Sequence, residues 1–492
     1  MEAPPAVVPK DSKTHRPKRS QVSRACARCR RLQKGCSERR PCDRCIKVGL
    51  AEQCIGRQTS EETVQSHTPQ SPAIGLALAP STPFATAGTL PPTTNHGFIP
   101  IHVINYCVDR YFSHLFGTIP ILTSSYVSSI TSRCLEQRDT AWREASCLVS
   151  ALCALVMLQV EEADGYSFPG MVSETNGSYG RSLLDRALLE RHHLPLRPRP
   201  SMELIILTFL IYACHARLCR HSQAFFFLRE SATLLLLHDP EPNFVGTEDI
   251  SSVVYQRLFW VLLISERSNA IRYRRPVTLQ VTKAVSGLDE ALVDHPHLVG
   301  FRCLALLFQP LDTAFFALLN EESSRRTHSV QELGSIESAI NSALEPASDH
   351  SLHDTQKSNL RVTQLWLRII LWQMRLRLGF LSEKRDPISL SYSYPLELAK
   401  DLMLSTRDLS LEAMRVHGIG LTEKLFDMAC AVVDVLARVP LSVTQPVIEL
   451  GFEPVNNLRY LRHLITELPG GASVYTDLLD KHVEEFLPDM VL

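Results

Sequence analysis

Residues 26–54 read CARCRRLQKGCSERRPCDRCIKVGLAEQC, which places Cys26, Cys29, Cys36, Cys42, Cys45 and Cys54 with gaps of 2, 6, 5, 2 and 8 residues between them. Two Cys-x2-Cys pairs, each followed by a third cysteine, form the pattern of a metal cage. A two-residue spacer lets both thiolates reach one tetrahedral ion across a tight turn. Three thiolates per half leave each ion one ligand short of four, so two ions in one small unit have to share sulfurs. The expected arrangement is two zinc ions on six cysteines. The competing reading is a disulfide-stapled secreted module. Residues 1–25 are polar and basic, without the apolar core of a signal peptide, which weighs against it.

Charge points to the same kind of partner. Through Arg57 there are 15 Lys or Arg against 5 Asp or Glu, leaving 36 basic and 47 acidic residues for the rest of a chain whose net charge is only −1. A basic head on an acidic body is the electrostatic footprint of phosphate-backbone binding beside a metal-folded module. His15, Arg16, Pro17, Lys18 and Arg19 form a short basic run of the kind read as a nuclear import signal, with Arg16, Lys18 and Arg19 carrying the charge.

The cysteine pattern resembles, at all six positions, the fungal binuclear zinc cluster (Zn2Cys6) DNA-binding domain. The resemblance implies that Cys26 and Cys42 bridge the two metals and that a short helix after Cys29 reads a CGG-type half-site in the major groove of double-stranded DNA. Arg28, Arg30, Arg31, Gln33 and Lys34 are the residues placed to do so, since Arg and Lys donate to guanine and Gln matches the adenine edge. The family's usual run is basic where this chain has Leu32, Gln33 and Gly35, so the sequence preference is less secure than DNA binding itself. Arg44 and Lys47, on a second short helix, are expected to contact phosphates.

Beyond Cys54, residues 55–99 are rich in Ser, Thr, Pro and Ala and carry no sustained periodicity, as a flexible linker does. No heptad pattern for a coiled coil is visible there, so dimerisation is left open. From residue 100 to about 470, apolar residues recur at helical spacing and strand-like alternation is scarce. The expected fold is therefore a small Zn2Cys6 module and a large all-α domain joined by a disordered linker. Helices are expected near 102–116, 140–161, 180–192, 202–217, 221–238, 250–271, 299–320, 329–343, 357–381, 395–415, 420–438 and 455–467. The apolar stretches Cys147 to Val160 and Leu204 to Cys214 are shorter than a membrane span, so core helices and no membrane are expected.

Three segments of the body carry a second resemblance: Asn105 to Leu122 (NYCVDRYFSHLFGTIPIL), Gln256 to Leu279 (QRLFWVLLISERSNAIRYRRPVTL) and Leu411 to Leu436 (LEAMRVHGIGLTEKLFDMACAVVDVL). They are similar to the fungal-specific transcription factor domain, also called the middle homology region, and to the subgroup of starch, maltose and xylan regulators. In the body, Phe259, Trp260, Trp366 and Trp372 read as core, and Arg257, Glu266 and Arg267 as solvated or paired helix charges. Cys214, His215 and Cys219 could bind metal from one helix, but the scattered Cys107, Cys134, Cys147, Cys153, Cys303 and Cys430 sit singly in apolar runs, so the cysteines read as free buried thiols rather than a metal site. The HGIG at His417 follows no strand, so a phosphate loop is not expected.

Residues 471–492 alternate acidic and hydrophobic side chains. That pattern suits either an activation segment for a coactivator groove or a terminal helix docked on the bundle. No hydrolase, nucleotide or aspartate-rich metal motif is present, so no catalysis is expected. The resulting expectation is a nuclear, zinc-dependent transcription activator with DNA, coactivators, a second copy and a small-molecule effector as partners to consider. A secondary-metabolite gene cluster is its expected target, and carbohydrate utilisation is the alternative. A corepressor that keeps the cluster as a structural unit is the alternative of another class.

Overall fold

The computed structural model describes residues 36–37, 42–47, 99–136, 142–160, 175–195, 197–238, 250–281, 298–321, 330–345, 352–383, 387–439, 454–488 and 490. The chain divides into two compact units, Met1–Pro92 and Thr93–Leu492. In the first, α1 (Asp43–Lys47) is the helix described.

The second unit is built from helices. α2 (Ile101–Arg110) runs into a wider π turn at Tyr111–Leu115. It is followed by α3 (Ser124–Glu136), α4 (Trp142–Gln159), α5 (Asn176–His192), α6 (Met202–Arg217) and α7 (His221–Leu237). Then come α8 (Ile250–Tyr273), α9 (Val299–Phe308), α10 (Thr313–Leu319), α11 (Val330–Ser342) and α12 (Asp354–Leu378). The chain closes with α13 (Tyr394–Thr406), α14 (Leu411–Arg415), α15 (Ile419–Arg438), α16 (Pro454–Glu467) and α17 (Thr476–Phe486). Among the described residues, the β pairing consists of one isolated bridge, Ser382 to Ser391.

Local chemistry sets the boundaries. Thr175, Ser201, Asp312 and Ser410 each cap a helix by accepting a backbone N–H from the residue three positions on. At the other end of α12, Gly379 takes φ 74°, Phe380 N–H bonds Arg375 O and Gly379 N–H bonds Leu376 O. This left-handed cap satisfies the carbonyls of the last turn.

Two packing centres organise the body. α4 packs against α2, α3, α5 and α6, while α12 and α15 pack on each other and share α13, with α14 added to α12 and α16 and α17 added to α15. α8 joins the two halves through α6, α7, α9 and α10. Helix α4 is 18 residues long and apolar enough to span a bilayer by length and composition, longer than the stretch read from the sequence. Its window is 83% buried within the bundle, as the core helix of a folded domain is.

Four expectations are corrected. The helix expected over 299–320 is two helices, bent by 58° where Pro310 removes a backbone donor and Asp312 starts a new cap. The helix expected over 395–415 is likewise broken before the Ser410 cap. Helix α3 was not anticipated, because its run SSYVSSITSRCLE is poor in strong helix formers. Val127, Ile130 and Cys134 nevertheless bury one face. Finally, of the solvated and paired states expected for Arg257, Glu266 and Arg267, the solvated one is excluded, since each is at most 2% exposed, and Glu266 is paired with Arg229.

Candidate nucleic-acid interface and the buried polar node

In the head, Cys42 and Cys45 are fully buried and Cys36 packs against them, so sulfur forms the centre of this small unit. Asp43 N–H donates to Ser37 Oγ at 3.1 Å and Ile46 N–H to Cys42 O at 3.0 Å, which fixes the turn that carries both thiols. Cys42 and Cys45, three apart on one helix, point inward, while Arg44 and Lys47 are exposed. This donor set fits zinc, whose sites take thiolates on a tight turn. Among the described residues, no group of three or more His, Cys, Asp or Glu is arranged to hold a metal ion. Cys26, Cys29 and Cys54 lie outside the described residues, as do Arg28, Arg30, Arg31, Gln33 and Lys34 and the basic run Arg16, Lys18 and Arg19.

The body contains a charged node that sequence reasoning missed. Arg272 on α8 reaches Glu423 at 3.1 Å and Asp427 at 2.7 Å, both on α15. Asp427 also accepts from Trp366 Nε1 at 2.9 Å. Glu423 Oε1 accepts from the hydroxyls of Tyr273 at 2.9 Å and Tyr475 at 2.7 Å. Burial raises Asp427 above the usual carboxylate range, against the pull of Arg272 and the Trp366 N–H. Burial acts to lower the pKa of Arg272, but Asp427 and then Glu423 outweigh it and hold the guanidinium charged. Beside the pair, Lys424 donates to Thr363 Oγ1 at 2.7 Å and lies 5.5 Å from the Trp366 ring centre. Burial first, and Arg272 second, bring its pKa down to about 7, with Glu423 pulling the other way. A signal was available in the sequence: Glu423 and Asp427 sit one helical turn apart within an apolar run, where a carboxylate needs a partner.

A second carboxylate fastens the loop after α8. Glu266 accepts from Arg229 at 2.5 Å, from Thr278 N–H at 3.0 Å and Oγ1 at 2.7 Å, and from Leu279 N–H at 2.9 Å. The end of the Gln256 to Leu279 segment is thus held by a buried glutamate twelve positions before Thr278.

The remaining sequence candidates in the body are structural. His215 is 3% exposed and stacks on Phe227 with ring centres 5.3 Å apart, while Cys214 Sγ faces Ala151 O. Cys107, Cys134, Cys147, Cys153, Cys303 and Cys430 are buried, and burial pushes the Cys147 thiol up to about 12. Such thiols are poor nucleophiles and poor ligands at neutral pH. Gly418 in the HGIG takes φ 63° to start α15, and His417 Nε2 lies 2.6 Å from Thr355 O. Phe259, Trp260, Trp366 and Trp372 are core residues.

With this geometry in hand, known proteins give the context. The chain is 22% identical over 360 residues to the probable sucrose utilization protein SUC1 of Candida albicans, covering 70% of this chain and 67% of that protein. It is 20% identical over 435 residues to the maltose fermentation regulatory protein MAL13 of Saccharomyces cerevisiae, covering 86% and 85%. These relatives are fungal transcription regulators of the Zn2Cys6 type. A third relative is the respiratory transcription factor ZNF1 of Saccharomyces cerevisiae, 19% identical over 352 residues, or 69% of this chain and 70% of that one. No family model and no solved structure matches the regulator. The similarities run over 352 to 435 residues, far beyond the length of a cysteine head, so they take in much of the helical body.

Proposed function

We propose that this regulator binds DNA through a two-zinc, six-cysteine head and controls genes of carbohydrate utilisation in the nucleus. The observation that carries the reading is similarity over most of the chain to a sucrose utilization protein and a maltose regulatory protein. It favours the carbohydrate alternative over the secondary-metabolite target.

In this reading, Cys26, Cys29, Cys36, Cys42, Cys45 and Cys54 hold the two zinc ions, with Cys26 and Cys42 shared. Zinc supplies no reaction here; it folds a unit too small to fold on apolar burial. Arg28, Arg30, Arg31, Gln33 and Lys34 face base edges of a CGG-like half-site. Arg44 and Lys47, which are exposed on α1, hold phosphates and set the register. Arg16, Lys18 and Arg19 serve import.

The test is a gel shift of the full chain on CGG-containing duplexes, with and without a zinc chelator and across a salt series, paired with transcript profiling of a deletion strain on sucrose, maltose and glucose. Zinc-dependent, salt-sensitive binding and altered disaccharide-use transcripts are expected. Absence of DNA binding in zinc-loaded protein would leave the corepressor reading. Normal disaccharide-use transcripts in the deletion strain would remove the carbohydrate assignment.

A further inference from the structure

The three most exposed large apolar side chains among the described residues all lie on α7: Phe226, Leu236 and Leu237, at 61%, 60% and 55%. Single exposed apolar residues are ordinary, whereas several gathered on one element mark an interaction site. Phe226, the exposed Thr233 and Leu237 are spaced by seven and four residues, so they stand on one face of the helix, with Leu236 beside them. Other sides of α7 pack on α6 and α8. The run AFFFLRESATLLLL is apolar on nearly every side, the composition of a helix that is covered all round. One side of α7 is therefore left without its cover.

Charge decides what fits there. The described carboxylates that reach α7 are already matched, since Glu230 pairs with Arg191 and Glu266 with Arg229, each at 2.5 Å. Glu423, 4.0 Å from His221 Nδ1, is held by Arg272 at 3.1 Å. The cations at the start of the helix are not matched: Arg220 and Arg275 are exposed and pair with no carboxylate among the described residues. Arg275 holds its guanidinium 4.6 Å from the centre of the Phe225 ring, next in sequence to Phe226.

Arg220 is the N-cap residue of α7, and no acidic residue follows in the first turn. A helix N-terminus is the positive end of the dipole, so cations placed there add to the local potential instead of offsetting it. An apolar stripe with an unmatched cationic end is complementary to a helix that is apolar on one face and acidic at one end.

We propose that the outer face of α7 docks an acidic amphipathic helix of another protein, its apolar side on Phe226, Leu236 and Leu237 and its carboxylates over Arg220 and Arg275. From Phe226 to Leu237 the stripe runs roughly 16 Å, so three turns of the partner helix cover it. The inference rests on the body alone and holds whichever genes the protein controls.

The test is fluorescence anisotropy of the full chain with a panel of labelled peptides of about 15 residues. They carry Leu or Phe at i, i+3, i+4 and i+7 and Asp or Glu at the flanking positions, and a matching panel has Lys in place of each acid. Saturable binding of an acidic peptide is expected, weakening as salt rises. Phe226→Ser and Leu237→Ser should each weaken it by roughly tenfold or more. Arg275→Glu should weaken it and shift the preference towards the lysine peptides. These positions are exposed, so the variants should melt with the wild type. Leu237→Ser provides the same comparison should serine at 226 disturb the fold.

Absence of saturable binding would overturn the proposal, as would equal binding of the lysine peptides or equal binding by folded Phe226→Ser. Sedimentation velocity on the same preparations tests the competing occupant. Self-association of the wild type that Phe226→Ser abolishes would overturn the proposal too, by showing that a second copy covers this face.

Discussion

Tyr475 donates its hydroxyl to Glu423 at 2.7 Å, on the same carboxylate oxygen that Tyr273 reaches at 2.9 Å. Burial raises both phenols above their ordinary range, so each stays a donor throughout the range in which the protein is handled. Tyr475→Phe removes one of two neutral donors and should cost about 1 kcal/mol in urea unfolding. Glu423→Gln leaves Arg272 with Asp427 as its remaining carboxylate and should cost about 3 kcal/mol. Equal losses in the two variants would show that the carboxylate does not organise the node.

Lys424 makes stability depend on alkaline pH. Its folded pKa of about 7 lies below its ordinary 10.5, so between these values the unfolded chain binds a proton that the folded chain does not. Stability from this group therefore rises with pH through that window and is lowest below it. Lys424→Met keeps the volume and removes the charge. It should stabilise the protein by about 1–3 kcal/mol at pH 6, with the gain fading toward pH 10. A wild-type minus variant difference that stays flat with pH would contradict the burial described.

Glu266 has four donors from Arg229, Thr278 and Leu279. Glu266→Ala strands these donors and should destabilise the body by about 3–5 kcal/mol, with early hydrogen exchange at Thr278 and Leu279. Thr278→Val removes the hydroxyl and keeps the backbone bond, for a loss of about 1 kcal/mol.

In the head, Arg44→Ala and Lys47→Ala should each weaken DNA binding to all duplexes alike and lower the salt slope by about 1, with zinc content unchanged. Cys42→Ala removes a buried sulfur and should lower zinc content and abolish binding together. Zinc loss in the Arg44 variant would place that side chain in the interior of the head.

The terminal helix tests the reading of the acidic tail. Leu479 and Val483 are 0% and 3% exposed, and Arg462 clasps Asp480 through two bonds of 2.7 Å. Of the two expectations for this segment, the structure has the docked helix. Leu479→Ala should cost about 2–4 kcal/mol by leaving a cavity. Asp480→Ala should cost less than 1 kcal/mol, because that pair is solvent-screened.

Helix positions were legible wherever apolar spacing and a cap coincided, as at Ser201 and α6. They were misread where a cap interrupted an apolar run, as at Asp312 and Ser410, because periodicity alone continues across a bend. Cysteine spacing named six candidate ligands, of which Cys36, Cys42 and Cys45 come together in the head while Cys26, Cys29 and Cys54 lie outside the described residues. The buried charges were not legible, since Arg272 and Asp427 are 155 positions apart and neither sequence neighbourhood names the other.

The Arg272 node also bears on synthesis. The guanidinium emerges from the ribosome well before Glu423 and Asp427, and the Tyr475 hydroxyl comes later still. Until those residues are translated, the centre of the body carries an uncompensated cation and cannot close.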